Sequence, residues 1–383
     1  MFRIDELGRS HEVATLFPTY PSGCALDYKE PIAWPLDDDM QDGWFEGLPY
    51  FLDDMRPQGF LGRNFARHHA SMLQVSEDPR YWSEDDILYA MALLGTDLPG
   101  CYIVGETALR HWLAGEQQEF KALTHANFQD AYLALAENSL ALGVAGSSAG
   151  GEFPKFTTTR LRSGEFHHVI VKFSGSDTSP GTQRWSDLLV CEHLALNAVA
   201  QQLGVPAARS HLHQFGGRTF LEVERFDRHG IRGRSPVCSW ASINAALFGL
   251  GGRPWTSAAR ALRDKGFIDE AEKGNIERLW HFGQLIANSD MHEGNLSFLP
   301  GLRMAPAYDT LPMLYAPVRG VELPQRSFEP ALALPAERVS WQVAAAAAES
   351  FWSQASRDSR ISQQFRDTCA NNARHVAALR ERA

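Results

Sequence analysis

The alternation of apolar and polar positions predicts two strands in the middle of the chain. In HHVIVKFS, residues 167–174, β-branched residues occupy alternate positions, as in a strand with one buried face. Lys172 falls inside this segment. The segment TFLEVERF, residues 219–226, predicts a second strand. Together the two segments predict a small β-rich region.

A helix is predicted between these strands, from Ser186 to Gly204. Ser and Asp residues can cap its start, Gly204 can end it, and Pro206 follows directly. Glu192 lies in the middle of the helix's apolar stripe, and a glutamate that faces a core needs a cation. The stripe is formed by Leu188, Ala195, Leu196, Val199 and Leu203.

The remaining pattern divides the chain into three regions. Residues 1–125 are rich in proline, glycine and aromatic residues and predict an irregular mixed module. Residues 126–226 contain an apolar helix from Ala131, a glycine-rich stretch and the two strands, which predict a small β-rich region. Residues 227–383 predict a mostly helical region, with helices at 241–248, 258–263 and 276–288 and an alanine-rich block from Ala336 onward.

Composition limits the classes of protein to which the chain can belong. Apolar residues make up 44% and charged residues 21%, and no apolar run reaches the roughly eighteen residues of a membrane-spanning helix. The first residues do not resemble a secretory signal, so a cytoplasmic protein without a membrane role is expected. The five cysteines form no C-x-x-C pair and predict buried thiols. The net charge of −10 argues against direct binding to nucleic acid.

Candidate metal ligands lie in NSDMHEGNLSF, residues 288–298, directly after a predicted helix. The residues after Asn295 are strand-like and reach a Pro-Gly turn pair, so a hairpin that turns near Gly301 is expected to bring Asn295 beside Asp309. Carboxylate and carboxamide oxygens are hard ligands that suit Mg²⁺. Asp290 adds a second carboxylate a few residues before Asn295. The sequence therefore predicts a magnesium site.

The order and spacing of Asp290, Asn295 and Asp309 are those of the protein-kinase catalytic loop and its metal-binding aspartate. In this interpretation Asp290 accepts or orients the proton of the substrate hydroxyl, and the other two residues hold Mg²⁺ against the nucleotide phosphates. A kinase also needs a strand lysine paired with a glutamate of the following helix, and Lys172 and Glu192 supply that pair. Each residue alone has a structural alternative, as a helix end, a loop cap or an exposed lysine. The combination favours a kinase.

The glycine-rich stretch GSSAGGEFPK, residues 146–155, precedes the first predicted strand. It is neither a Walker A sequence nor a G-x-G-x-x-G sequence. Ser147, Ser148 and Lys155 could offer N–H groups, hydroxyls and positive charge to nucleotide phosphates. A plain turn before a strand is an equal alternative for this stretch.

A hydrolase is a weaker alternative. Asp290, His292 and Asp309 could form a metallohydrolase site, but no second histidine with ligand spacing lies nearby, since His281 falls on the preceding predicted helix.

Five blocks occur in the order and approximate spacing of one known family: GSSAGGEFPK, HHVIVKFS, VERFDR, NSDMHEGNLSF and MAPAYDTLP. They resemble the HipA-family serine/threonine kinases, the toxins of bacterial type II toxin–antitoxin systems. The blocks span roughly residues 146–315. Two earlier segments, FEGLPYFLDDMRPQGFLGR and LLGTDLPGCYIVG, resemble the N-terminal module of that family more loosely. The resemblance thus covers most of the chain.

The resemblance implies an α+β fold of the bilobal protein-kinase type. It assigns a HipA-type N-terminal, β-rich subdomain to residues 1–125, a nucleotide-binding small lobe to residues 126–226 and a mostly helical catalytic lobe to residues 227–383. ATP and Mg²⁺ are the implied cofactors. Glu224 and Phe226 resemble the segment between the lobes whose backbone meets adenine.

The resemblance also implies roles for single residues. Lys172 is similar to the lysine that binds the nucleotide phosphates, and Asp290 to the catalytic aspartate. Asn295 and Asp309 resemble the Mg²⁺ ligands. Ser148 resembles the serine that is autophosphorylated in the glycine-rich loop of the family. A phosphate there would repel the nucleotide phosphates and silence the enzyme.

The implied substrate is a component of translation. Aminoacyl-tRNA synthetases, glutamyl-tRNA synthetase among them, are the substrate class that the resemblance suggests. The sequence contains no helix-turn-helix signature, so any DNA binding is expected to occur through a separate HipB-like antitoxin rather than directly.

Four positions depart from the family pattern. Glu152 adds negative charge beside the expected phosphate site. Met291 and Glu293, with Gly294, replace the commoner glycine and the Ala-Lys pair, which removes a lysine beside the transferred phosphoryl group. These departures motivate an alternative, a catalytically weak kinase-fold binding protein that acts through an antitoxin partner. A small-molecule kinase of related fold is a third interpretation.

Overall fold

A computed structural model describes residues 1–19, 23–115, 121–142, 153–318, 323 and 326–383. Within these residues the protein has a mixed α/β fold with several small antiparallel sheets. Two predicted phosphate-site serines, Ser147 and Ser148, and the departure at Glu152 lie outside the described residues.

The N-terminal region has the irregular mixed character that its proline and glycine content predicts. Its strands form two three-stranded sheets, ordered β2-β1-β6 and β3-β4-β5. Ser83 and Asp86 form a capping box that starts α3. The elements are β1 (Phe2–Ile4), β2 (Ser10–Glu12), β3 (Ala14–Pro18), β4 (Cys24–Tyr28), α1 (Asp38–Gln41), β5 (Trp44–Phe45), α2 (Gly59–Leu73), α3 (Glu84–Leu94), β6 (Tyr102–Ile103) and α4 (Glu106–Ala114).

A four-stranded antiparallel sheet, ordered β7-β8-β10-β9, follows in the chain. The two predicted strands are β8 and β10, which pair with each other in its centre. The outer strands β7 and β9 were not predicted. The elements are α5 (Phe128–Leu142), β7 (Lys155–Arg162), β8 (Glu165–Phe173), α6 (Pro180–Ala198), β9 (Ser210–Phe215) and β10 (Arg218–Glu224).

The two faces of this sheet pack against different helices. Val169, Val171 and Phe173 of β8 lie in an apolar cluster with Tyr132 of α5. Side chains alternate along a strand, so Lys172 lies on the other face. Its side chain reaches α6 there. The alternation of β8 thus directs a single lysine toward a buried helix.

Helix α6 begins earlier than the sequence predicts. The side chain of Ser179 accepts a hydrogen bond from the backbone of Thr182, and Pro180 occupies the first helical position. The predicted start at Ser186 is therefore wrong, because Ser179 and Pro180 give a stronger start signal about two turns upstream. The predicted stop is confirmed, since Gly204 adopts a left-handed φ of 64° after a single π turn at Val199–Leu203.

The C-terminal region is mostly helical, as predicted. The observed α9 starts at Glu270 because Asp269 caps it, and it ends at Leu285. Large side chains of the last helices, including Phe351 and Trp352, are fully buried in the main core. The elements are β11 (Arg228–His229), β12 (Gly233–Arg234), β13 (Cys238–Ser239), α7 (Trp240–Leu247), α8 (Trp255–Asp264), α9 (Glu270–Leu285), β14 (Ser297–Leu299), β15 (Arg303–Met304), α10 (Arg338–Ala355) and α11 (Gln363–Arg382).

An ion-pair network joins the N-terminal region to the segment after β10. The guanidinium groups of Arg225 and Arg228 lie 2.9 and 3.0 Å from the carboxylate of Asp97. Arg228 also lies 2.6 Å from Asp227, which pairs with Arg225 at 3.0 Å as well and accepts from the backbone N–H of Gly100 at 2.9 Å. Both arginines are almost completely buried, so each needs these partners.

A second contact between the same parts of the chain is made by Asp54. Its carboxylate accepts hydrogen bonds from the backbone N–H and the hydroxyl of Ser239, both at 2.6 Å, and from the hydroxyl of Ser242 at 3.2 Å. Ser239 is the N-cap of α7. The N-terminal region therefore holds the start of that helix.

Among the described residues, no helix combines the length and the apolar character that crossing a membrane requires.

Candidate active site

The hairpin that the sequence predicts after Asn295 is present. β14 and β15 pair in antiparallel register, with Phe298 opposite Met304. Gly301 lies in the turn with a φ of 76°, which favours glycine. The chain then returns along Ala307, which bridges to Ala207, and reaches Asp309.

Lys172 is the centre of the candidate site. Its ammonium group donates to both oxygens of Glu192, at 2.6 and 2.8 Å, and to a carboxylate oxygen of Asp309 at 2.6 Å. Glu192 is fully buried and Lys172 is 4% exposed. Burial opposes protonation of the lysine, but the two carboxylates outweigh it and raise its pKa. The structure thus brings together three predicted residues from β8, α6 and the segment after β15.

Asp309 is held in an unusual backbone conformation. Its φ is +48°, in the left-handed region that residues other than glycine seldom occupy. Burial opposes ionisation of its carboxyl, but Lys172 and Lys155 outweigh this effect and lower its pKa to about 2. The carboxylate is therefore ionised at neutral pH. About a third of the side chain remains exposed.

Lys155 is the first residue of β7 and lies opposite Lys172 in the sheet. Its charge contributes to the lowered pKa of Asp309. The predicted phosphate-site lysine is thus close enough to influence the same carboxylate electrostatically. Its predicted serine neighbours are not among the described residues.

Asp290 lies in an irregular loop after α9, and its side chain is exposed. Its N–H donates to the side chain of Asn288 at 3.0 Å, and its carbonyl accepts from the amide nitrogen of Asn295 at 2.8 Å. Asn288 in turn donates to the backbone carbonyl of Asp309 at 3.4 Å. These bonds connect the three predicted loop residues. The amide oxygen of Asn295, the atom that suits a metal, takes no part in them.

The predicted adenine segment lies next to the site through its aromatic residue. The ring of Phe226 packs against that of Tyr308 with centroids 5.9 Å apart. The carboxylate of Glu224 is engaged by Arg162 at 3.3 Å and by His167 at 3.2 Å. The backbone N–H groups of Glu224 and Arg225 donate to the carbonyls of Arg209 and His168 at 2.8 and 2.9 Å, so these two N–H groups are already engaged.

The metallohydrolase alternative has no support in the described part of the chain. No group of three or more His, Cys, Asp or Glu side chains there is placed to hold a metal ion. His281 instead lies 3.2 Å from Glu337, on the side of α9 that packs toward the start of α10.

Several residues of the site were not predicted. Glu293 accepts hydrogen bonds from Asn244 and from the backbone of Gly252. The hydroxyl of Tyr308 donates to the carbonyl of Gly294 at 2.6 Å and so holds the far end of the Asp290 loop. Tyr308 alone had a signal in the sequence, because it directly precedes Asp309. Asn244 and Gly252 are distant in sequence from Glu293, which they contact.

A cleft of about 1240 Å³ opens beside Asp290. It is lined by the end of α9, by the loop of residues 288–294 and by residues 252–254 and 327–329. Apolar and polar side chains share the lining, among them Trp280, Phe328 and Arg253. The exposed carboxylate of Asp290 therefore borders a space that can accept a second molecule.

Comparison with known proteins identifies the family. Residues 1–113 match the family described as "YjjJ-like toxin, middle domain", and residues 147–377 match the "HipA-like C-terminal domain". The chain therefore belongs to the HipA-like toxin family, which confirms the resemblance found in the sequence. Toxin YjjJ of Escherichia coli (strain K12) is 35% identical over 390 aligned residues, which cover 100% of this chain and 84% of that protein.

Solved structures support the fold. HipA of Shewanella oneidensis MR-1, determined in a complex of HipA, HipB and operator DNA, aligns with a TM-score of 0.62 at 16% identity, covering 100% of this chain and 97% of the other. At this identity the likeness shows a shared fold and no more. The Helicobacter pylori proinflammatory kinase CtkA aligns with a TM-score of 0.39 over 58% of this chain and 87% of the other, at 13% identity.

Proposed function

We propose that the protein is an ATP- and Mg²⁺-dependent serine/threonine protein kinase that acts as the toxin of a toxin–antitoxin system. The observation that carries this proposal is the contact of Lys172 with both Glu192 and Asp309. A strand lysine, a helix glutamate and a metal-binding aspartate are the parts with which protein kinases fix the nucleotide phosphates. Membership of the HipA-like toxin family supports the same reading.

The proposal includes a bilobal arrangement. The four-stranded sheet with α6 supplies Lys172 and Glu192, and the helical region supplies Asp290 and Asp309. The segment around Phe226 connects these two parts of the chain. A nucleotide between them would meet the lysine on one side and the loop residues on the other.

The side chains at the site fit a magnesium ion. Mg²⁺ prefers oxygen ligands and is usually bound by one or two carboxylates together with waters and substrate phosphates. Asp309 offers an ionised carboxylate, and the hydrogen bond of Asn295 to Asp290 uses its amide nitrogen and not its amide oxygen. These two residues would hold the ion, which would neutralise charge on the nucleotide phosphates.

Asp290 would orient the acceptor hydroxyl and take its proton. Its carboxylate is exposed at the cleft, where an incoming hydroxyl can reach it. The cleft exceeds the range of about 300–1,000 Å³ that is common for small-molecule pockets. This size favours a polypeptide acceptor over the small-molecule alternative.

The substrate and the partner follow from the family. We propose a component of translation, such as an aminoacyl-tRNA synthetase, as the protein that is phosphorylated, and a HipB-like antitoxin as the partner that restrains the toxin. The neighbouring HipA structure contains HipB and operator DNA. Ser148 is the proposed site of autophosphorylation.

The proposal is tested by incubating the full chain with labelled ATP and Mg²⁺ and locating the label by mass spectrometry. Wild type is expected to label the peptide of residues 146–155, whereas Asp309→Ala should abolish the labelling because a ligand of the metal is lost. Exposed Asp39→Ala, far from the site in the N-terminal region, is the matched control. Equal labelling in wild type and Asp309→Ala would refute the metal assignment. Thermal stabilisation by ATP without any transfer would instead favour the kinase-fold binding protein.

A further inference from the structure

We propose that Glu293 is a positioning residue that fixes the loop carrying Asp290 against α7 and the glycine loop of residues 249–252. The inference rests on the proposed function, because it gives that loop a catalytic purpose. It concerns a residue that the family pattern leaves without a role. The geometry of its hydrogen bonds supplies one.

A single carboxylate oxygen of Glu293 accepts two hydrogen bonds. One comes from the side-chain amide of Asn244 at 3.0 Å and the other from the backbone N–H of Gly252 at 3.0 Å. Asn244 lies on α7 and is 2% exposed. A buried amide needs a partner for each of its polar atoms, so this bond is costly to lose.

The side-chain oxygen and the backbone carbonyl of Asn244 hold the glycine loop. The side-chain oxygen of Asn244 accepts from the backbone N–H of Leu250 at 2.8 Å, and its backbone carbonyl accepts from Gly249 at 2.7 Å. Gly249 and Gly252 both have φ above +60°, a conformation that glycine adopts without strain. Glu293 and Asn244 thus close a small network around a loop with little stiffness of its own.

The position of the network makes it relevant to catalysis. The loop of residues 288–294 and the glycine loop at Gly252 both line the cleft. Asn288 and Tyr308 attach the Asp290 loop to the Asp309 segment. Asn295 attaches the loop to the start of β14. Glu293 attaches it to a different element, α7. Without Glu293 the loop would lose its hydrogen bonds to α7 and to the glycine loop, and Asp290 would lose a fixed distance to the acceptor.

Three variants separate positioning from charge and from folding. Glu293→Ala removes both hydrogen bonds, and Glu293→Gln keeps a carbonyl oxygen that can accept them without the charge. Glu381→Ala changes an exposed glutamate of α11 and is the matched control. The measurements are the rate of autophosphorylation at saturating ATP and the Kd for ATP.

Glu293→Ala is expected to lower the rate by roughly 10- to 100-fold, as a small misplacement of a catalytic group does. The Kd for ATP should stay unchanged, because Lys172 and Asp309 are untouched. Glu293→Gln should recover most of the lost rate. A Glu293→Ala rate equal to wild type would overturn the inference, and so would an equal loss in Glu293→Gln or a parallel loss of ATP affinity.

Hydrogen exchange tests the inference independently of activity. In Glu293→Ala the backbone amides of residues 288–295 and 249–252 should exchange faster than in wild type, and in Glu293→Gln they should stay protected. Unchanged exchange in Glu293→Ala would overturn the positioning role even if the rate falls. If wild type transfers no phosphate at all, the kinase proposal fails, and the exchange result still decides whether Glu293 holds the loop.

Discussion

Single residues carry most of the electrostatics of the candidate site. Lys172 is the shared counter-ion of two carboxylates, one of them fully buried. A buried carboxylate without a cation is costly, so the lysine contributes to stability as well as to the proposed binding of phosphates. A change of this residue should therefore affect the unfolding of the protein even without nucleotide.

Lys172→Met is expected to lower the free energy of unfolding by about 3 kcal/mol, because Glu192 would lose its buried cation. Urea denaturation of the full chain measures the change. Lys121→Met, at an exposed position, should leave the stability near that of wild type. Adding Glu192→Gln to Lys172→Met should recover part of the loss. A Lys172→Met protein as stable as wild type would contradict the role as shared counter-ion.

The sequence predicts some of these residues because their signals are local. Glu192 interrupts an apolar stripe, and Lys172 interrupts an apolar strand, so each is visible in its own segment. Glu293 could not be predicted in the same way. Its partner Asn244 lies 49 residues away on another helix, and no pattern of residues connects the two.

At the scale of elements, local signals decide which predictions succeed. The hairpin at Gly301 was predicted because a Pro-Gly pair separates two strand-like runs. The strands β7 and β9 were missed because lysine, arginine and histidine interrupt their apolar pattern, and the two segments become strands by pairing with their neighbours. The predicted start of α6 is too late because the apolar stripe begins only at Leu188, whereas the cap at Ser179 precedes a polar segment.

Helix α7 provides a prediction at this scale, since its start depends on Asp54. Asp54→Ala would leave the N–H and hydroxyl of Ser239 without their acceptor in a buried place, which costs about 2 kcal/mol or more. Thermal unfolding should show a lower Tm than for the exposed control Asp39→Ala. An unchanged Tm would mean that the helix start does not depend on this carboxylate.

At the scale of the whole molecule, the N-terminal region and the rest of the chain share buried charges. Asp227 accepts a hydrogen bond from the backbone of Gly100 in the N-terminal region. Within its own segment it pairs with Arg225 and Arg228. Burial opposes ionisation of Asp227, but the two arginines outweigh it and lower its pKa from an ordinary 3.8 to about 2. A carboxyl whose pKa is lowered by folding stabilises the native state only while it is ionised.

The stabilisation by Asp227 should therefore be complete above pH 3.8 and decline as the pH falls toward about 2. Asp227→Asn removes the titrating group, so its free energy of unfolding should depend on pH less steeply in this interval, by about one proton. Denaturant unfolding at several pH values measures both slopes. Identical slopes in the two proteins would show that this carboxyl does not titrate on unfolding.

The burial of the same network determines how the contact responds to ionic strength. At 0.1 M, salt largely screens the attraction between exposed charges more than about 10 Å apart, but it acts little on groups that water cannot reach. Arg228 and Asp227 have side-chain exposures of 3% and 9%. Concentrated salt should therefore leave the first hundred residues bound to the rest of the protein. If a protease cuts the chain near residue 115, the two fragments should still migrate together in that salt.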